Sequence, residues 1–262
     1  MAITTLDGYI AAAKQRVQWI KTASRTAVAA MPFSVIDLAG NPGAGTLAGS
    51  NTANGVVPTD ATAGYPIITA FGGGTGYLSK VEFASTVACW VDVYDRVFLA
   101  GAYAFNANTT LASIPSYSGR IPGADYTGTQ IWLEQVTAGT GSQSVAVTYT
   151  NQAGTGSRTT GTVATATNIV GRCWQLPLQA GDSGVQVVNS VVGSVATVGT
   201  FNIMVLRPLW SGRITLANGG DVHDLLRVGM PQVYADSALY VLIAPDSTAT
   251  GIPEVMLEVA NG

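Results

Sequence analysis

From Tyr77 onward, short runs of β-branched and aromatic residues recur, each bounded by Gly, Asn, Asp or Pro. Alternation is clearest in Ser144-Val145-Ala146-Val147-Thr148-Tyr149-Thr150. In an extended chain every second side chain of such a run falls on one face of a sheet. The pattern predicts strands over 77–84, 89–98, 130–137, 144–151, 159–165, 172–176, 185–192, 200–206, 237–244 and 254–259. Short strands joined by Gly-rich turns predict a mainly β chain, with an antiparallel β-sandwich or jelly-roll-like body. The stretch 185–206 carries no charge over 22 residues, long enough to cross a bilayer as a helix. Gln186, Asn189, Asn202, Gly193 and Gly199 interrupt it, so two strands and a turn are expected there instead.

The first thirty residues follow another rhythm. Leu6, Ile10, Ala13, Val17 and Ile20 step by four, three, four and three, while Lys14, Gln18, Lys21 and Arg25 repeat that spacing on a second face. This predicts an N-terminal amphipathic α-helix within residues 1–30, opened by a Thr4/Asp7 capping box and closed before Pro32. Two roles are open to it: packing on its own body, or docking on a neighbour. In the docking reading Leu6, Ile10, Val17 and Ile20 anchor, and Lys14, Lys21 and Arg25 match an acidic surface. Between residues 31 and 76 the chain is rich in Gly, Ala, Asn, Thr and Pro, as in Asn41-Pro42-Gly43-Ala44-Gly45, and reads as an extended arm or linker. The expected division is therefore a helix over 1–30, an arm over 31–76 and an antiparallel β domain over 77–262.

Composition narrows the function. Only 10% of residues are charged while 47% are hydrophobic, with mean hydropathy +0.31, which excludes a disordered chain. The net charge is −3; Lys14, Arg16, Lys21 and Arg25 against Asp7 give residues 1–30 a charge of +3, leaving −6 for residues 31–262. No overall basic field exists to hold nucleic acid or an anionic membrane. One histidine and two cysteines are a thin stock for metal sites or for a nucleophile with its base. Cys89 and Cys173 lie too far apart in sequence to be a ligand pair and are expected to be buried thiols, with a single bridge between two strands as the alternative. No signal-peptide pattern opens the chain.

Individual motifs lead to the same place. Gly181-Asp182-Ser183-Gly184 copies the surroundings of a serine-protease nucleophile, yet the only histidine, His223, follows it in sequence, and turn chemistry explains the four residues. Asp221-Val222-His223-Asp224 is the densest group of metal-ligand or acid–base types; the simpler expectation is a short helix with Asp221 at its N-cap and Asp224 as its partner. Asp92 and Asp95 fall on opposite faces of one strand and cannot act as a carboxylate pair, and Arg96 suggests an ion pair instead. The runs Gly72–Gly76 and Gly139–Gly141 lack the Lys-Ser/Thr of a phosphate loop. No catalytic residue, cofactor or metal is expected. Exposed aromatics stacking on a glycan remain an alternative.

Four segments carry a resemblance: Asn54-Gly55-Val56-Val57-Pro58-Thr59-Asp60-Ala61-Thr62-Ala63-Gly64, Tyr94-Asp95-Arg96, Val147-Thr148-Tyr149-Thr150-Asn151-Gln152-Ala153-Gly154, and Leu176-Pro177-Leu178-Gln179-Ala180-Gly181-Asp182-Ser183-Gly184-Val185. Together they resemble virion structural proteins encoded near the capsid genes of tailed bacteriophages, over roughly residues 1–207. The resemblance implies a noncatalytic virion component, a head decoration or cement protein with a jelly-roll-like body, and supplies no active-site residues. Residues 213–262 depart from it. Low charge also suits a surface covered by copies of itself, so a homo-oligomer is expected, trimer ahead of dimer, on the major capsid protein. A neck, tail or fibre component with a glycan-binding β domain is the alternative.

Overall fold

The computed structural model describes residues 3–72, 75–165, 168–194 and 198–262. In chain order its elements are α1 (Leu6–Ala11), β1 (Ala13–Lys21), β2 (Phe33–Ser34), β3 (Gly40–Asn41), β4 (Gly76–Ser85), β5 (Cys89–Ala104), β6 (Asn108–Thr110), β7 (Gln130–Thr137), β8 (Gln143–Asn151), β9 (Arg158–Thr159), β10 (Val163–Thr165), β11 (Cys173–Leu176), β12 (Val185–Gly193), β13 (Thr200–Ile214), β14 (Gly219–His223), α2 (Leu225–Val228), β15 (Gln232–Val233), β16 (Leu239–Pro245) and β17 (Pro253–Asn261). Among the described residues every ladder is antiparallel. The mainly β, antiparallel fold class read from the sequence is the one observed.

The strands form three sheets. The first runs β14-β4-β17-β1-β3 with β15 also on β4; the second runs β11-β7-β13-β5-β16-β2; the third runs β10-β8-β12-β6 with β9 also on β8. The second sheet is a shared wall, because its long central strands β5 and β13 feed two hydrophobic clusters. Val91, Val93 and Trp210 join Trp19, Val81 and Leu257 of the first sheet. Phe98, Phe201, Ile203 and Val205 join Val145, Val147 and Val188 of the third. Each such aliphatic or aromatic side chain, once buried, stabilises by about 1.5–3 kcal/mol.

The N-terminal helix is shorter than its spacing suggests. Thr5 rather than Thr4 is the N-cap, its Oγ1 accepting from Gly8 N at 3.0 Å, and α1 ends at Ala11. From Ala13 to Ile20 the chain pairs with β17 instead of continuing as a helix. Val17 and Lys21 satisfy a period of four and a period of two alike. Trp19, fully buried between them while Arg16 and Gln18 stay exposed, shows that period two prevails. Sheet pairing with β17 overrides a helical rhythm that no buried face would have supported.

The segment after β1 is packed into the body: β3 pairs with β1 of the first sheet, and other parts lie against the second. Phe33 and Ser34 pair with β16, and Val35, Ile36, Leu47, Tyr65 and Ile68 are buried in the first cluster. Val56 and Leu99 exchange both backbone hydrogen bonds, at 2.8 and 2.9 Å. The neighbouring Gly55 has φ +71°, and a Cβ there would stand 2.2 Å from the Phe98 ring, so only glycine lets the segment lie this close to β5. The charge-free stretch 185–206 is divided between β12 and β13, with residues 195–197 of its turn outside the described residues. Among the described residues no helix is long and apolar enough to cross a membrane.

Candidate functional site

The residues expected to dock on a neighbour are split by the fold. Leu6 and Ile10 stand on α1 at 63% and 65% exposure, and Leu226 on α2 at 82%. Thr5, Leu6, Tyr9, Leu225, Leu226 and Met230 line one groove of about 450 Å³. Tyr9 donates to Glu258 Oε1 at 3.0 Å and so ties α1 to β17. Lys14 is exposed, its Nζ donating to the carbonyls of Tyr9 and Ala12 at 2.8 and 3.2 Å, where it satisfies the end of the helix.

The other members serve the interior. Val17 and Lys21 are buried, and Ile20 is half-buried. The Lys21 ammonium donates to Leu38 O at 3.1 Å and Pro42 O at 3.0 Å, with the Trp19 ring 4.5 Å away. Burial pulls its pKa down to about 8, against the opposing pull of Asp37. Arg25 pairs with Asp37. The single helical stripe of Leu6, Ile10, Lys14, Val17, Ile20, Lys21 and Arg25 is therefore corrected: a strand turns Val17 and Lys21 inward, and Leu6, Ile10 and Lys14 are its fully exposed members.

The largest concentration of polar chemistry is buried. Glu134 on β7 accepts from Arg96 at 3.0 and 3.1 Å, from Tyr240 Oη at 2.6 Å and from Asn202 Nδ2 at 2.8 Å. Asp95 accepts from Arg120, from Arg207 at 3.1 Å, from Ser237 Oγ at 2.8 Å and from Ala238 N at 3.1 Å. Adjacent residues on β5 thus take different partners, and the Arg96 ion pair expected near Asp92 and Asp95 goes to Glu134. Asp92 sits apart beside Ser211, with burial pushing its pKa up. Asn202 extends the network to the arm, donating to Leu47 O at 2.7 Å and accepting from Gly49 N at 2.9 Å. Burying two carboxylates with three guanidinium groups is tolerable because each carboxylate is met by several donors, although Nε of Arg96, Arg120 and Arg207 finds no partner.

The motif residues are structural in the same way. Asp182 accepts from Tyr149 Oη at 2.6 Å, Asn151 Nδ2 at 2.7 Å and Arg158 Nε at 2.8 Å. The Arg158 bond, ahead of the others, holds the carboxyl down to about 2. Ser183 lies in the exposed turn before β12, its amide donating to Gln152 Oε1 at 3.0 Å. His223 belongs to β14: Nδ1 accepts from Trp210 Nε1 at 3.0 Å, which leaves the proton on Nε2, 3.3 Å from Asp221 Oδ2. Both ring nitrogens face partners from its own fold. The cap of α2 is Asp224, accepting from Leu226 N and Arg227 N at 3.1 and 3.3 Å, not Asp221, which the β4 ladder holds in a strand. Among the described residues no three His, Cys, Asp or Glu side chains gather so as to hold a metal ion. Cys89 and Cys173 are buried free thiols; burial pushes both upward, Cys89 to about 11. Residues 73–74 of the Gly72–Gly76 run lie outside the described residues.

No family model matches the chain, and no curated protein matches it. Among solved structures it aligns with a mutant VP2 protein of infectious bursal disease virus in derived T=1 particles, at 9% identity and TM-score 0.18, over 95% of this chain and 77% of that one. A VP2 subviral particle of the same virus aligns at 9% identity and TM-score 0.18, over 95% and 79%.

Proposed function

We propose that the chain is a noncatalytic structural subunit of a tailed-bacteriophage virion, a capsid decoration or cement protein that binds the head shell as a homo-oligomer, trimer ahead of dimer. The observation that carries this reading is the apolar end formed by Leu6, Ile10 and Leu226, which stand exposed on a body whose charged groups are largely engaged in its own fold. Large exposed apolar side chains gathered beside a groove suit contact with another protein. Leu6 and Ile10 supply the anchors and Lys14 the charge; the sparse surface charge and the sequence resemblance support a shell surface as the partner. The protein would then sit on the virion head after assembly in the host cytoplasm, with no nucleic acid, membrane or cofactor required.

The test is the copy number of the chain relative to the major capsid protein, by quantitative mass spectrometry of purified particles. A fixed ratio near that of the capsid protein supports decoration, and absence from the particle overturns the virion reading. In parallel, a Leu6→Ser/Ile10→Ser variant is expected to lose shell binding while its stability stays within about 0.5 kcal/mol of wild type, as for other surface changes. The second reading, a neck, tail or fibre component that binds a glycan, is favoured by one observation: Trp90 is 46% exposed, with the Arg213 guanidinium 5.6 Å from its ring. A few copies per particle, with glycan-array binding lost in Trp90→Ala, would move the assignment there.

A further inference from the structure

The first sheet has β14 toward one side and β1 toward the other, and the two edges are finished differently. At β14 the carboxylate of Asp221 accepts from Val222 N at 2.7 Å, so a side chain of the same strand takes up one of its amides. At β1 the short strand β3 covers only Ile20 and Lys21, and Thr22 N donates to Ala39 O at 2.9 Å in the same register. In an antiparallel strand the N–H and C=O of one residue point to one side, and those of the next residue to the other. Thr22 and Ile20 therefore face β3, and Trp19 and Val17 face β17. The amides and carbonyls of Gln18 and Arg16 face a side on which, among the described residues, they have no backbone partner. A cleft of about 440 Å³ lies beside them, lined by Arg16 and Gln18 together with Pro42, Gly43, Pro66 and Ile67. Side-chain amides hold the flanking segments: Asn41 Nδ2 donates to Gln18 Oε1 at 3.1 Å, and Gln15 exchanges two hydrogen bonds with the Thr69 backbone, at 2.9 and 2.8 Å.

An open strand edge with a cleft along it is a template for one more strand. The uncovered stretch from Lys14 to Gln18 would span about 17 Å at ~3.4 Å per residue, room for some five added residues. Charge says what kind. Lys14 and Arg16 are both exposed, and among the described residues neither takes part in an ion pair. A residue set opposite Arg16 shares its exposed face, whereas one opposite Val17 points to the side on which Val17 is buried, where Pro66 and the 66% exposed Ile67 line the cleft. We propose that the open edge of β1 binds an extended acidic segment of a partner protein by antiparallel strand addition, with a carboxylate opposite Arg16 and an aliphatic side chain opposite Val17. A second copy's β1 is a poorer occupant, because pairing two such edges would gather two Lys14 and two Arg16 side chains on one short ladder. The edge includes neither Leu6 nor Ile10 and does not rest on the virion reading, so either assignment stands if the other fails.

The probe is the peptide fluorescein-Thr-Val-Glu-Ala-Glu-amide, titrated with the full chain and followed by fluorescence anisotropy. Saturable binding is expected. Replacing both glutamates of the peptide by lysine should raise the half-saturating concentration about tenfold, and Arg16→Glu should reverse that preference. Methylating the amide nitrogen of the first glutamate, the residue set opposite Arg16, removes a ladder donor and should abolish binding; methylating that of the valine, which points away from β1, should leave it. In the chain, Gln18→Pro deletes the edge amide while Gln18→Ala keeps it, and only the first should lose the peptide. The pair of methylated peptides decides the matter if Gln18→Pro does not fold. No saturable binding, equal binding of the two methylated peptides, or indifference to the charge swap overturns the proposal. So does a homo-oligomer that comes apart in Gln18→Pro, which would give the edge to a second copy.

Discussion

Strands β7 and β13 carry two interiors back to back. On one face Ile131, Leu133, Phe201, Ile203 and Val205 meet the third sheet through apolar contacts. On the other, Glu134 and Asn202 alternate with Trp132 and Met204 and reach the arm through hydrogen bonds. The apolar face specifies little beyond volume and register, and many sequences would fill it. The polar face specifies a path: Asn202 accepts from one named amide and donates to one named carbonyl of residues 47–49, so that segment has one place to lie. The cost of that specificity is fragility, because each buried charge depends on its neighbours.

Four changes test the contrast, in falling order of effect. Glu134→Ala strands the Arg96 guanidinium and removes an acceptor from Tyr240 and Asn202; it should cost about 3–5 kcal/mol, read as a lowered urea midpoint. The double variant Arg96→Met/Glu134→Leu sharpens the point: it should recover most of that loss, yet residues 46–65 should become more sensitive to limited proteolysis. If the arm stays fully protected, the polar face does not direct its path. On the apolar face, Ile203→Val should cost only about 0.5–1.5 kcal/mol by the same measurement and leave the arm unchanged. The smallest effect is at Lys21, whose folded pKa is near 8 against 10.5 in a free chain. Between those values the unfolded state binds more protons, so this lysine's contribution to stability rises with pH from about 8 to 10. Denaturation at both ends of that window should show wild type gaining relative to Lys21→Met; equal slopes would mean the ammonium is not desolvated.

The sequence makes the apolar face readable and the polar face nearly silent. Gln130–Thr137 reads as a strand over its full length because bulky apolar residues there run between turn signals, and Val145, Val147 and Tyr149 alternate without interruption. Strand β13 reads as ending at Leu206, since Arg207-Pro208 looks like a stop, but a bulge at Pro208–Trp210 carries the ladder through to Ile214. The arm has no period to detect: Leu47, Tyr65 and the Ile67-Ile68 pair are scattered among Gly, Ala and Pro, and Leu47, Tyr65 and Ile68 are buried by tertiary contact. No local signal joins Arg96 to Glu134, 38 positions apart, or Asp95 to Arg207, 112 apart. Of the expected docking residues only Leu6, Ile10 and Lys14 stand fully exposed, because spacing alone could not tell a helix from the strand that takes Val17 and Lys21.

The pairing of β1 with β17 also sets an order of events during synthesis. Val17 and Leu257 face each other across that ladder, so β1 leaves the ribosome long before the strand it pairs with. The third sheet draws only on residues between Asn108 and Gly193 and has its strands available much earlier. Until β17 emerges, β1 has no long partner, and Trp19 and Val17 remain without their cover on that side. Closure of the first sheet is thus a late, long-range step, the kind that slows folding and leaves an open edge exposed to neighbouring nascent chains.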